Sequence, residues 1–361
     1  MSVEVSYRDS ALFRKDASNK RPPASVQKLL LSLAMFDRAG EEPIDTLIGA
    51  RRREGRRIPG DLWVIGRGDP TITGKRQSSR EDYPTRLTKF VRAIRSAGIR
   101  RIGGSLAASK RYFKRDWDAP GWLSDYQEEE VALPTALTIN GNDGKQRRLL
   151  EPELVLARKL TQRLERAGVS VADPPKVGRP KTSRLEKISL VSSAPFWVLA
   201  RGMNKISSNF YAEVLGKRLG ALRFGSPGTI RKGSRAIEAF ARSHHVRLGA
   251  FDSSGLSFAN RVSPQGVVSL LRYGRRQSWW PAVRRGLATG DEGTLAGRLG
   301  GVRLRAKTGT LEGISTLAGW VWLERVDDWA EFAIMSRGLS KDRAVKAENQ
   351  LVRIASSKAR P

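Results

Sequence analysis

The sequence predicts an α+β protein in which a domain of helices and sheet, carried by residues 1–59 and 191–361, is interrupted by a smaller inserted α/β domain at 60–190. Three observations point there. Helix-period segments and the clearest strands gather towards the two ends of the chain, whereas from Gly60 to about Leu190 the pattern changes to short strands and helices broken by many turns. The length, 361 residues, suits one large domain or two ordinary ones.

Val3 to Tyr7 and Ala11 to Arg14 flank the turn-like Arg8-Asp9-Ser10 and read as a hairpin. Pro22-Pro23 halts extended structure. From Ala24 to Ala39 the apolar residues Val26, Leu29, Leu30, Leu33 and Phe36 recur at helical spacing, and Gly40 stops the helix, which places Ser25 at its start. In the insertion, Leu62 to Ile65 is a strand running into the loop Gly66-Arg67-Gly68-Asp69-Pro70, and Leu87 to Ala97 and Glu153 to Ala167 are amphipathic helices followed by Gly98 and Gly168. Pro174, Pro175, Gly178 and Pro180 read as a linker. Beyond it, Phe196 to Arg201, Asn209 to Leu219 and Gly233 to Ser243 look helical, and Val302 to Ala306, Leu317 to Trp322 and Ala330 to Met335 look like strands. A charged helix from about Lys341 closes the chain, and no internal repeat is visible.

Composition narrows the chemistry. Lys and Arg number 66 against 36 Asp and Glu, a formal net charge of +30, so the molecule is drawn to polyanions. The arginines are spread (Arg51 to Arg53, Arg56, Arg57, Arg147, Arg148, Arg284, Arg285), and charge alone leaves nucleic acid, anionic lipid, cell-wall polymers and a merely solvated surface all open. The absence of cysteine excludes disulfides, thiolate zinc sites and a cysteine nucleophile. The two histidines, His244 and His245, are adjacent and point in different directions, a poor metal site and a poor triad partner. Hydrolysis here would have to run without histidine. No apolar run has the length of a membrane span and no signal-peptide pattern opens the sequence; the literal reading is cytoplasmic, the alternative that the given start lies inside the gene product.

Three short motifs carry chemistry. In Ser25-Val26-Gln27-Lys28 a three-residue separation on a helix brings hydroxyl and amine to one side, where a lysine of lowered pKa can replace histidine as base. Alone, the pattern is a common chance spacing. Ser207-Ser208-Asn209 precedes a helix; it reads as an N-cap, or as a proton relay (Ser207) with an amide that orients substrate and Lys28 (Asn209). Lys307-Thr308-Gly309-Thr310 follows the strand Val302 to Ala306; it reads as a turn, or as a strand end where glycine permits close approach and Lys307, Thr308 and Thr310 hold a carboxylate. The order nucleophile, relay, substrate strand is a recognised signature of penicillin-binding proteins and class A β-lactamases.

Longer stretches sharpen this. Pro23 to Lys28, Gly60-Asp61-Leu62-Trp63 with Gly68-Asp69-Pro70, Met203 to Asn209 running on to Ala212-Glu213, Asp252 to Ser257, Asn260 to Pro264, Gly293-Thr294-Leu295 and Ala306 to Leu311 resemble the low-molecular-mass class C penicillin-binding proteins, the D-Ala-D-Ala carboxypeptidase/endopeptidase family of the penicillin-binding protein 4 type. The resemblance covers nearly the whole chain. It implies a β-lactamase/transpeptidase-like fold: an antiparallel sheet flanked by helices, with the site between the sheet and a helical part. It also implies acylation of Ser25 by the penultimate D-Ala carbonyl, with Lys28 as base, Ser207 as relay, and Asn209, Lys307, Thr308, Gly309 and Thr310 binding substrate. Backbone N–H groups at Ser25 and near Thr310 would form an oxyanion hole.

The partners so implied are peptidoglycan stem peptides, with β-lactam antibiotics as inhibitors; neither metal nor organic cofactor is needed, and the location is extracytoplasmic. Ser253 stands where the family usually has glycine, a change expected to be tolerated, and the insertion looks shorter than in larger members. Two rivals remain. A β-lactamase would need a carboxylate poised to activate water, and the run Glu128-Glu129-Glu130 reads instead as a solvated face. A non-catalytic binder would use the +30 charge on anionic wall polymers or a lipid surface; without a stacking-aromatic motif no specific nucleic acid is expected.

Overall fold

The computed structural model describes residues 1–74, 83–143 and 149–358, so Arg147 and Arg148 lie outside the described residues. The chain opens with β1 (Ser2–Tyr7) and β2 (Ser10–Lys15), an antiparallel hairpin turned at Arg8, whose φ of 53° is left-handed as a tight hairpin turn requires. A 3-10 turn at Ala24–Val26 leads into α1 (Gln27–Ala39), which ends at Gly40 with φ 60°. The expected helix is present, but its first turn is wound tighter than α. Leu29, Leu30, Leu31 and Leu33 are all fully buried, so α1 is covered on every side.

The middle of the chain comprises β3 (Asp45–Ala50), β4 (Arg57–Ile58), β5 (Leu62–Ile65), the short parallel pair β6 (Ile72–Thr73) and β7 (Thr85–Arg86), and α2 (Leu87–Ser96). β8 (Arg101–Ser109), α3 (Tyr126–Glu129), α4 (Pro152–Arg166), β9 (Ser170–Gly178) and β10 (Glu186–Ser192) follow. The sheet runs β10-β3-β5-β8-β4 with β9 also paired to β8. Phe90 and Ile94 of α2 and Leu156 and Leu160 of α4 share a core with Ile48, Val64, Ile102 and Leu106 of the sheet. The supposed linker at Pro174 and Pro175 is part of β9. That strand pairs only with β8 among the described strands, and its register slips twice along the way, so prolines without N–H donors are accommodated at this edge. The sheet also takes in residues 45–58, ahead of the expected boundary at 60, and runs on to Ser192.

The chain then builds a bundle of α5 (Phe196–Lys205), α6 (Asn209–Phe224), α7 (Ile230–Ser243), α8 (Pro264–Arg275) and α9 (Trp280–Arg285) around α1. β11 (Leu304–Leu311), β12 (Ile314–Leu323) and β13 (Asp328–Arg337) form a meander, and α10 (Lys341–Lys358) packs on β12. Among the described residues the second sheet has the order β11-β12-β13-β1-β2 and is antiparallel throughout, the N-terminal hairpin completing it by pairing β1 with β13. Alternate residues of β12 feed two cores. Ala318 and Trp320 join the α1 bundle, while Leu317 and Val321 pack with Val352 and Ala355 of α10. β11 is thus left as an edge beside the bundle.

Candidate active site

Ser25 sits in the 3-10 turn, partly exposed, directly after Ala24, whose φ of 46° is unusual for a residue with a side chain. One turn on, the Lys28 side chain is wholly buried, and its Nζ donates to Ser25 Oγ (2.8 Å), Asn209 Oδ1 (2.8 Å) and the Ser254 carbonyl (2.6 Å). Three acceptors match the three protons of an ammonium, which is why the group can be buried at all. Burial still wins: it lowers the Lys28 pKa to about 8, against the opposing pull of Asp252, Glu213 and Glu130.

The second motif divides its labour. Ser208 is the N-cap of α6, accepting from the Tyr211 N–H at 3.2 Å, so the capping reading holds for Ser208 and leaves the Ser207 and Asn209 side chains for other contacts. Ser207, held at φ 57° between α5 and α6, accepts a hydrogen bond from Lys307 Nζ at 3.0 Å. Asn209 turns its carbonyl to Lys28 and donates through Nδ2 to the Glu130 carboxylate (3.0 Å) and carbonyl (3.3 Å). Glu130, expected on a solvated face, is exposed but lies against the site, because residues beyond β8 leave the inserted sheet and return to the helical core through Phe113, Ala132 and Ala136.

Lys307-Thr308-Gly309-Thr310 lies within β11 rather than after its end, each residue paired in register with β12 from Ala318 to Ser315. The turn reading is therefore wrong. Apolar residues end at Ala306, but the ladder continues to Leu311 because β12 supplies partners. Lys307 is fully buried, and burial followed by repulsion from Lys28 depresses its pKa well below the ordinary lysine value. A Cβ on Gly309 would stand 2.8 Å from the Ser25 nitrogen and 2.9 Å from the Pro23 carbonyl, so only glycine lets this strand lie against the Ser25 turn. Thr308 Oγ1 bonds Thr294 Oγ1 at 2.6 Å, and Thr310 is exposed.

A supporting loop escaped the short-motif reading, although its residues belong to the longer stretches quoted above. Asp252 accepts from Gly255 N (3.0 Å), Ser257 N (2.7 Å), Asn260 Nδ2 (2.8 Å) and Trp122 Nε1 (2.7 Å), and Glu213 accepts from Ser253 N (2.9 Å) and Ser254 N (2.7 Å). These bonds aim the Ser254 carbonyl at Lys28. Burial, then Asp252, push Glu213 up to about 7. Ser253 is accommodated because Gly216 faces it: a Cβ there would come within 1.9 Å of Ser253 Oγ.

The model of the D-Ala-D-Ala carboxypeptidase 3 (S13) family matches residues 2–146 and 143–358 of this chain. A carboxypeptidase of Mycobacterium tuberculosis is 28% identical over 342 residues, spanning 87% of this chain and 70% of the relative. A D-alanyl-D-alanine carboxypeptidase of Actinomadura sp. is 25% identical over 400 residues, spanning 86% and 72%. The crystal structure of penicillin binding protein 4 from Haemophilus influenzae superposes with a TM-score of 0.80 over 97% of this chain and 96% of that one, at 18% identity, which establishes a shared fold. With the whole length matched by one family and the fold shared with penicillin binding protein 4, the chain belongs to the D-Ala-D-Ala carboxypeptidase 3 (S13) family.

Proposed function

We propose that Ser25 is the acylated nucleophile of a serine-type D-Ala-D-Ala carboxypeptidase/endopeptidase, the activity that family membership gives the chain. The single observation that carries the assignment is the hydrogen bond from the buried Lys28 to Ser25 Oγ, with a lysine pKa close enough to neutrality for a base. Neutral Lys28 takes the Ser25 proton as Oγ attacks the penultimate D-Ala carbonyl, and the Ser25 and Thr310 N–H groups receive the oxyanion. Collapse breaks the C–N bond, and the proton passes by Lys28 and Ser207 to the departing amine. Water then attacks the ester, releasing the shortened peptide and restoring the Ser25 hydroxyl.

Lys307, Thr308 and Thr310 hold the terminal carboxylate, Gly309 keeps the strand close, and Asn209 orients the substrate amide and Lys28. The edge position of β11 fits an extended peptide lying alongside it. Stem peptides of peptidoglycan are the substrates, β-lactams the acylating inhibitors, and an extracytoplasmic location follows; among the described residues no helix is long and apolar enough to cross a membrane. Residues 60–190, widened to the sheet that begins at Asp45 and ends at Ser192, act as the inserted domain.

Fluorescent penicillin followed by intact mass tests this on the wild type and on Ser25→Ala. A stable adduct, absent from the variant, is expected. Labelling of the variant would remove Ser25 as nucleophile, and rapid release with turnover of the wild-type adduct would favour a β-lactamase.

A further inference from the structure

The +30 charge is not evenly matched by carboxylates. Several arginines have partners: Arg275 holds Asp328 and Glu331, and Arg298 holds Glu348. At the end of β11 remote from the Ser25 turn, however, a cleft of about 420 Å³ is lined by Arg284, Arg285, Arg303, Arg305, Thr289 and Trp329. Among the described residues none of these four guanidinium groups is ion-paired. Of the neighbouring acids, Glu292 is taken by Lys205 and Asp328 by Arg275, while Asp291 is exposed and makes no ion pair with the four arginines among the described residues.

Arg284 and Arg305 are half-buried and Arg285 and Arg303 exposed, and three of the four lie over aromatic rings. Arg284 stacks 4.6 Å from the Trp280 ring and 4.7 Å from Trp329, Arg303 3.6 Å from Trp322 and Arg285 5.5 Å from Trp197. Among the described residues Arg284 Nε is buried without a hydrogen-bond partner, and Arg305 donates to the Leu287 carbonyl at 3.4 Å. Burial, then repulsion from Arg305, Arg303 and Arg285, lowers the Arg284 pKa. Gathering like charges around an unsatisfied donor costs free energy unless an anion completes the arrangement.

We propose that this cleft binds successive phosphate groups of a phosphodiester-linked polyol polymer of the wall. Guanidinium forks match phosphate oxygens in pairs, and four of them exceed the charge of a single phosphodiester. Arginines already lie over Trp280, Trp329 and Trp322, and Trp329 is buried, which disfavours stacking of nucleic-acid bases on these rings. Trp329 is buried and the cleft is concave, so no apolar wedge stands out to enter a bilayer. At a rise of about 3.3 Å per residue, Arg303 lies roughly 13 Å along the strand from Lys307. A bound polymer would therefore hold the enzyme on the wall with its catalytic strand beside the peptide, raising the effective concentration of substrate. The site is separate from Ser25; the choice of a wall polymer rests on the function proposed above, whereas phosphate binding at the cleft does not.

The test is calorimetric titration of the full chain with a poly(glycerol phosphate) oligomer across a salt series. Arg285→Glu/Arg303→Glu is compared with Arg92→Glu/Arg95→Glu, an equal charge change on α2 in a second arginine-lined cleft. In that cleft Arg100 and Arg163 already donate to backbone carbonyls. Penicillin labelling verifies folding, and Arg285→Gln/Arg303→Gln replaces the charge reversal should that variant fail to label. The expected result is at least a tenfold loss of affinity and a shallower salt dependence for the cleft variant, with the α2 variant within twofold of wild type. Equal losses would make binding a property of net charge, and an unaffected cleft variant would exclude the cleft; either overturns the proposal. Tighter cleft-dependent binding to phosphatidylglycerol/phosphatidylcholine vesicles or to a single-stranded oligonucleotide, at equal phosphate, would overturn the choice of a wall polymer.

Discussion

Lys28 keeps its three hydrogen bonds without a carboxylate in ion-pair contact among the described residues, so desolvation sets its proton affinity. A lysine whose pKa is lowered to about 8 is in its base form above that pH. The second-order rate of penicillin acylation should therefore climb about tenfold per pH unit between pH 6 and 7 and level off above 8. Stopped-flow labelling measures this, and a flat profile from 6 to 8 would remove Lys28 as the base. Lys28→Arg keeps the charge and loses the titration, because guanidinium does not deprotonate in this range; acylation should fall by about 10²–10⁴. Ser253 shows a different lesson of the same scale: its hydroxyl fits only because the opposing position is Gly216.

The decisive contact between elements is β11 against the Ser25 turn. Gly309→Ala would push a methyl group to 2.3 Å from Thr316 Oγ1 and against two backbone atoms, the Ser25 nitrogen at 2.8 Å and the Pro23 carbonyl at 2.9 Å. Strand and turn must move apart, by up to about 1 Å at the closest contact. Overpacking of this kind costs about 1–3 kcal/mol of stability, but misplacing a nucleophile by about 1 Å can cost about 10²-fold in rate. The variant should thus fold, melt slightly earlier and acylate about 10²-fold more slowly; wild-type acylation in a destabilised protein would mean that the turn position does not matter. Helices are bounded by similarly local devices, Ser208 capping α6 and Ser263 capping α8, whereas strands owe their extent to partners, as the continuation of β11 through Gly309 demonstrates.

At the scale of the molecule, the sheet stores an ionisable group that ties stability to pH. Glu331 on β13 is fully buried, its Oε1 lies 3.5 Å from Arg275 and its Oε2 has no hydrogen-bond partner among the described residues; burial raises its pKa to about 7 despite that arginine. A carboxyl whose folded pKa is raised contributes stability that is complete below its unfolded pKa and is lost as pH rises through the folded value. Glu331→Gln, a neutral mimic of the protonated form, should gain on wild type by roughly 2–3 kcal/mol between pH 5 and pH 8. Urea unfolding at both values reads the difference, and a constant gap would show that Glu331 is ionised throughout.

The sequence by itself determined the α1 helix, whose leucines keep a 3.6-residue period, the N-terminal hairpin, and the three motifs whose residue types and spacing select serine acyl transfer. It also carried the family, through stretches long enough to be specific. Tertiary structure alone decided that prolines 174 and 175 lie in an edge strand, that the inserted sheet reaches back to Asp45, and that Glu130 meets Asn209. It alone brought Ser207 to Lys307, a hundred residues apart, and left Arg284, Arg285, Arg303 and Arg305 around one cleft. The reason is physical. Helical period and capping are written in neighbouring residues, whereas strand pairing, burial and the meeting of charges depend on what the rest of the chain places opposite.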